Sequence, residues 1–456
     1  MFEPLQLGAF KPSKFERWYP PIVKVTGDAD SGYQQGHVSR RIEDVARRLL
    51  SEEPVLALHG PRAVGKTTLL RSIAASRGVG VVDLDDLATR KAVAEDPAAF
   101  VSGRAPVCID EYQHVPPILD AIKAELNRNG SPGRFLITGS TRHDALPLMA
   151  QSLTGRLHRM TVHPLSQSEI AGVDVNLISN LFSDPAAIVS ARRSSTTRDE
   201  YVARVAAGGF PAALRRTTGA ARSRWFGDYV SLCLERDVAE LARIQQKATL
   251  PGLLTRLVAQ TGQILNVSAA GAEAGLNKRT ADNYTKLLEA LFLVYRVPAW
   301  GKTLRARAVA MPKLHVVDSG LAAHLLRLSP EKLGRLEPTA LQQFGHLFET
   351  FVVGEVHKQL SLMDGIAAVG HWRTHEGAEV DLVIERDDGS VIAIEIKAGS
   401  RVGDNDMAGL RVIRNALGDA FVAGAVMYAG EWSYTSKDGI LVLPVDCLWT
   451  SMETTG

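Results

Sequence analysis

The chain has 456 residues, of which 45% are hydrophobic and 22% charged, with a formal net charge of +2. This is ordinary globular material with room for about two to four cores. It excludes a protein coated in nucleic acid while leaving a local basic patch open. No apolar stretch is long enough to span a membrane, and the first residues lack the charged, apolar and cleavage-site series of a secretory leader, so the expected location is cytoplasmic with no membrane partner. Cys108, Cys233 and Cys447 are isolated in apolar contexts and point to neither a disulfide framework nor a zinc site.

Residues 1–36 carry Pro4, Pro12, Pro20 and Pro21 without clear periodicity and read as an irregular extension. From 37 to 165, helical and apolar-strand patterns alternate as in one α/β domain. Within it, residues 54–58 predict a short buried strand and residues 69–75 have helical spacing. Between them, Gly60, Pro61, Arg62, Ala63, Val64, Gly65, Lys66, Thr67 and Thr68 fit a phosphate-binding loop at every fixed position. Such a loop wraps phosphates with backbone N–H groups at a helix N-terminus. Lys66 would reach the β and γ phosphates, and Thr67 would ligate Mg²⁺.

A hydrolase needs more than a phosphate loop. Residues 106–111 form a second apolar run ending in Asp110 and Glu111, the expected form of a strand whose C-terminal edge meets the metal. Asp110 would hold Mg²⁺ and Glu111 would polarise the attacking water. A third run ends in Thr138-Gly-Ser140, so that Thr138 or Ser140 is a candidate γ-phosphate sensor. No N-K-x-D-like guanine-reading segment follows, which makes ATP the expected nucleotide.

Residues 166–230 read as a connecting helical region and 231–311 as a helical, winged-helix-like domain. Asn266 and Asn277 are placed to cap two helices around Gly275, the outline of a helix-turn-helix. The β-like residues 292–297 follow, as a wing would. Between 276 and 308, Lys278, Arg279, Lys286, Arg296, Lys302, Arg305 and Arg307 stand against Asp282 and Glu289. DNA is the partner this patch suggests, with Lys278, Arg279, Asn283 and Lys286 facing a groove or its phosphates. A packing module with a solvated basic face is the alternative.

Residues 312–456 read as a final α/β domain. Residues 379–385 and 391–397 alternate as two strands around Asp387-Asp388-Gly389. A three-residue loop sets Asp381 opposite Glu395, with Lys397 on the same face. Opposed carboxylates require a cation or a proton between them. A divalent ion, Mg²⁺ or Mn²⁺, is one remedy, and Glu355 or Glu349 on an upstream helix could join it. Lys397 would then orient the nucleophile of a phosphodiester hydrolysis. The alternative is a surface hairpin whose charges Lys397 neutralises.

These stretches together resemble a known family. The loop with Ile109-Asp-Glu, Ile137-Thr-Gly-Ser, Leu153-Thr-Gly-Arg156 and His163-Pro-Leu-Ser looks like that of prokaryotic AAA-type ATPases carrying a C-terminal domain of unknown function. Gly208-Gly-Phe-Pro, Glu235-Arg-Asp237-Val, Val317-Asp-Ser-Gly-Leu321, Trp372-Arg-Thr and Glu379-Val-Asp381 resemble that companion domain. The terminal part is also similar to PD-(D/E)xK nucleases, with Asp381, Glu395 and Lys397 on the motif positions and Val380 in place of the motif's proline. The resemblance implies an ATPase core with a parallel sheet, a winged-helix-like middle and a nuclease-like end. It makes Arg156 a candidate arginine finger, which acting in trans would require a homo-oligomer. Two functions follow: an ATP-driven DNA-processing enzyme with a metal-dependent nuclease end, or a nucleotide-switched regulatory or toxin-antitoxin-type interaction protein whose nuclease-like end binds without cutting.

Overall fold

Short apolar runs separated by helical stretches build a parallel sheet buried on both faces. The computed structural model describes residues 38–140, 153, 155–189, 193–238, 246–301 and 311–450. The expected extension at 1–36 lies outside them, as do Lys302, Arg305 and Arg307. Strands β1 (Val55–His59), β2 (Val81–Asp83), β3 (Val107–Asp110), β4 (Phe135–Gly139) and β5 (Leu157–Thr161) form a sheet in the order β2-β3-β4-β1-β5. Every pairing is parallel. Along β1, Leu56 and Leu58 join one core while Val55 and Ala57 join the other. That alternation is the period-two rule of a strand covered on both sides. The loops at the C-terminal ends of β1, β3 and β4 therefore open on one edge, where open α/β sheets bind ligands.

The helical middle contains helix Leu250–Val258, β6 (Gln263–Ile264), helices Val267–Glu273 and Lys278–Ala290, β7 (Val294–Val297) and β8 (Lys313–Val316). β8 pairs antiparallel with both β6 and β7. The three-stranded sheet thus crosses the boundary expected at residue 312, because the strand there pairs backwards. Asn266 and Asn277 cap their helices by accepting from Ala269 N–H and Thr280 N–H at 3.0 and 2.9 Å. Gly275 makes the turn between them at φ +72°, a backbone region that favours glycine.

The last region packs helix Pro338–Leu360 against a mixed sheet. Its strands are β9 (Ile366–Arg373), β10 (Glu379–Arg386), β11 (Val391–Lys397), β12 (Phe421–Tyr428), β13 (Tyr434–Thr435) and β14 (Leu441–Pro444), ordered β13-β14-β12-β11-β10-β9. The hairpin ladder runs from Leu382↔Ile394 to Glu385↔Val391, the register of a three-residue loop. One contiguous apolar core extends from Ile42 to Trp449 across all three regions.

Two of the quoted segments meet in this core. A Cβ on Gly208 would lie 2.0 Å from Asp318 Oδ1, and Gly209 N–H donates to Asp318 Oδ2 at 2.6 Å. Asp318 also caps the helix Ser319–Leu325. The Gly-Gly-Phe-Pro and Val-Asp-Ser-Gly-Leu segments are thus two sides of one buried joint.

Candidate nucleotide site and a second carboxylate cluster

The phosphate loop leaves β1 at Gly60, whose φ is +150° and whose absent Cβ would stand 2.2 Å from Val162 O. No larger residue fits there. Gly65, at φ +99°, turns the chain into helix Lys66–Ser76. Lys66 is 4% exposed and its ammonium donates to Gly60 O and Pro61 O at 2.9 and 2.8 Å. Burial lowers its pKa, against the pull of Glu111, Asp110 and Asp237. Its partners in the loop are neutral carbonyls, which anionic phosphates can outcompete.

Around it the expected carboxylates converge. Asp110 ends β3, Glu111 follows it, and Thr138 sits on β4 beside them. The Thr138 hydroxyl donates to Asp110 Oδ1 and accepts from Glu111 N–H at 3.1 Å. Burial pushes the Asp110 carboxyl up, while hydrogen bonds from Thr138 and Thr67 pull it down. Thr67 and Asp110 are thus already neighbours, and their hydroxyl and carboxylate oxygens are hard donors suited to Mg²⁺. Glu111 has left-handed backbone at φ 52°, a conformation that costs about 1–3 kcal/mol in a non-glycine residue and is concentrated at functional sites. Burial opposes its charge, yet Lys66, Gln113, Arg62 and Ser140 together hold its carboxyl below the usual range. The Glu111 carboxylate is therefore ionised at neutral pH.

Three residues here were not expected from sequence. Gln113 Nε2 donates to Glu111 Oε2 and, at 3.1 Å, to Ser140 Oγ. Ser140 therefore reaches the Glu111 carboxylate through the Gln113 amide, and Thr138 is tied to the Asp110 carboxylate and the Glu111 backbone. Arg40 braces the loop by donating to Val64 O at 2.6 Å and to Glu169 Oε1 at 3.0 Å. Asp237 accepts from Arg62 Nε at 2.6 Å. Asp237 closes the π-helical turn Cys233–Asp237, so the middle region grips the phosphate loop directly. Arg156 is exposed and donates to Asn127 Oδ1 at 2.6 Å.

At the C-terminal sheet the arrangement departs from expectation. Asp381, Glu395 and Lys397 do cluster: Lys397 Nζ lies 2.7 Å from Glu395 Oε1, and Asp381 helps push the Glu395 carboxyl up to about 8, after burial itself. Asp381, one residue beyond the hairpin ladder, accepts from Ile396 N–H at 2.9 Å. The ammonium bonded to it is not that of Lys397. Lys313, at the start of β8 and 2% exposed, places its Nζ 2.8 Å from Asp381 Oδ1 and 3.0 Å from both Glu349 Oε1 and Glu379 Oε1. Burial works against this ammonium, but the three carboxylates outweigh it and raise its pKa.

The expectation that Glu355 joins the cluster is corrected. Glu355 accepts from Gln167 N–H at 2.7 Å and pairs with Lys358 at 2.6 Å. Six residues separate it from Glu349 on one helix, which turns the two side chains to different faces. Among the described residues no group of three or more His, Cys, Asp or Glu side chains is arranged to hold a metal ion. With both Asp381 oxygens engaged, the C-terminal donor set does not fit a divalent ion in this conformation.

On helix Lys278–Ala290, Lys278, Arg279, Asn283 and Lys286 are all exposed. Part of the basic excess is spent internally. Lys286 pairs with Asp282 at 2.8 Å, and Arg296 lies within 3.6 Å of Asp282 and 3.3 Å of Glu289. No described helix is long and apolar enough to cross a membrane.

Three family models match successive parts of the chain. Residues 52–171 match the AAA domain family, residues 198–332 match domain of unknown function DUF8612, and residues 344–448 match domain of unknown function DUF4143. Uncharacterised proteins of Mycobacterium tuberculosis and Mycobacterium bovis are each 28% identical over 409 residues, 89% of this chain and 83% of theirs. Among solved structures, the Walker-type ATPase of Pyrococcus abyssi is 12% identical, with TM-score 0.38 over 64% of this chain and 97% of its own. The Holliday junction branch migration motor RuvB of Thermotoga maritima is 17% identical, with TM-score 0.27 over 56% and 89%. The parallel sheet and the loop form a P-loop fold, and the residues that build it, 52–171, match the AAA domain family.

Proposed function

We propose that this chain binds and hydrolyses ATP with Mg²⁺ and that its nucleotide state governs the hold of the helical middle on DNA. The observation that carries the reading is the convergence of Lys66, Thr67, Asp110 and Glu111 at the edge of one sheet, with Arg62 of the same loop bonded to Asp237 of the middle region. Lys66 exchanges its two carbonyl partners for phosphate oxygens. Glu111, ionised and fixed by Thr138 and Gln113, orients a water and accepts its proton. Thr67 and Asp110 would hold Mg²⁺, which when bound would neutralise phosphate charge. Arg156, on the surface, is assigned to the site of a neighbouring copy. A phosphate beside Arg62 competes with Asp237 for the guanidinium, and that exchange is the link from nucleotide to the middle region.

The DNA contact is assigned to helix Lys278–Ala290, in the element order of a winged helix. Retention of duplex DNA should fall steeply with salt, and changing Lys278 and Arg279 together to Ala should reduce the slope by about one to two units. A flat salt dependence, or no retention at low salt with either ATP or ADP, would favour the packing role instead. For the nuclease-like end, the reading that it binds without cutting is favoured by one observation, the Lys313 ammonium among its carboxylates.

A further inference from the structure

We propose that Lys313 is a built-in cation: its ammonium takes the place among Asp381, Glu349 and Glu379 that a divalent ion would need, making the nuclease-like constellation a metal-free joint between two sheets. The geometry is direct. β8 belongs to the three-stranded sheet of the middle region, while Asp381 and Glu379 lie on β10 of the C-terminal sheet and Glu349 lies on the long helix beneath. One side chain ties three elements at 2.8–3.0 Å.

The remaining charges are settled without an ion. Asp381 gives one oxygen to Lys313 and the other to Ile396 N–H. Glu395 gives Oε1 to Lys397, and its Oε2 is buried with no hydrogen-bond partner. A divalent ion would have to displace a lysine covalently tethered beside its ligands, at a very high local concentration.

The test is Mn²⁺ binding to the nucleotide-free full chain, read by electron paramagnetic resonance. In the wild-type background Asp381→Asn should leave the amount of bound Mn²⁺ unchanged. Lys313→Met should gain a Mn²⁺ site at least tenfold tighter than any in the wild type, and adding Asp381→Asn should abolish it. A wild-type ion lost on Asp381→Asn would overturn the proposal. So would a folded Lys313→Met chain that gains none. The wild-type and Asp381→Asn pair decides the matter even where Lys313→Met does not fold.

Discussion

Two buried lysines, Lys66 and Lys313, each sit among acidic side chains, yet they do opposite work. Lys66 donates to two neutral carbonyls, and burial lowers its pKa. Lys313 is paired with three carboxylates that raise its pKa despite burial. A lysine whose charge is unmatched at home is available to an anionic ligand; one whose charge is matched is a fastener. What separates a binding site from a joint is therefore the charge of the nearest partners, not the presence of lysine and carboxylates.

The largest effect expected from breaking the ATPase side of this comparison lies at Arg156. An arginine supplied by a neighbouring copy is worth roughly three to five orders of magnitude in turnover. Arg156→Ala should lose that much ATP hydrolysis, and mixing it with Lys66→Ala protein should restore part of it. Absence of rescue in mixtures that demonstrably co-assemble would leave Arg156 as a surface residue bonded to Asn127.

Stability sharpens the contrast between the lysines. Lys313→Met strands three carboxylates and should cost about 3–5 kcal/mol, read by denaturant unfolding without nucleotide. Lys66→Met removes a charge that the fold already disfavours, so its cost should stay within about 1 kcal/mol. Equal losses at the two positions would erase the distinction.

The pH dependence of the joint gives a smaller signal. The Glu395 carboxyl titrates at about 8 in the fold, above its unfolded value, so the native state holds a proton that the unfolded chain releases. Its contribution is complete below the unfolded pKa and is lost as pH rises through about 8. Glu395→Gln should therefore be no more stable than wild type near pH 5, yet gain on it, by an amount of order one kcal/mol, by pH 8.5. Parallel stability curves over that range would show that Glu395 is ionised throughout.

How much of this was legible in the sequence follows from the range of each interaction. The phosphate loop, the carboxylates closing β3 and the hairpin register are local patterns, and the chain folds them as read. The two caps of the helix-turn-helix outline are local as well. Arg40, Asp237 and Lys313 were missed because their partners lie 129, 175 and 68 residues away in the chain. Lys313 follows Pro312 at the start of a strand, a place where lysine is ordinarily solvated, and only β8's position between β6 and β7 buries it. Glu349 and Glu355 could not be told apart, because helix Pro338–Leu360 is buried around much of its circumference and shows no single inner face.

The most direct test of the nucleotide site is ATP turnover by Glu111→Gln beside a measurement of ATP binding. The geometry predicts binding within about twofold of wild type and hydrolysis lower by about 10²–10⁴-fold, since only water activation is damaged. Turnover at the wild-type rate would contradict the assignment of Glu111 as the base and, with it, the reading of this sheet edge as a hydrolytic site.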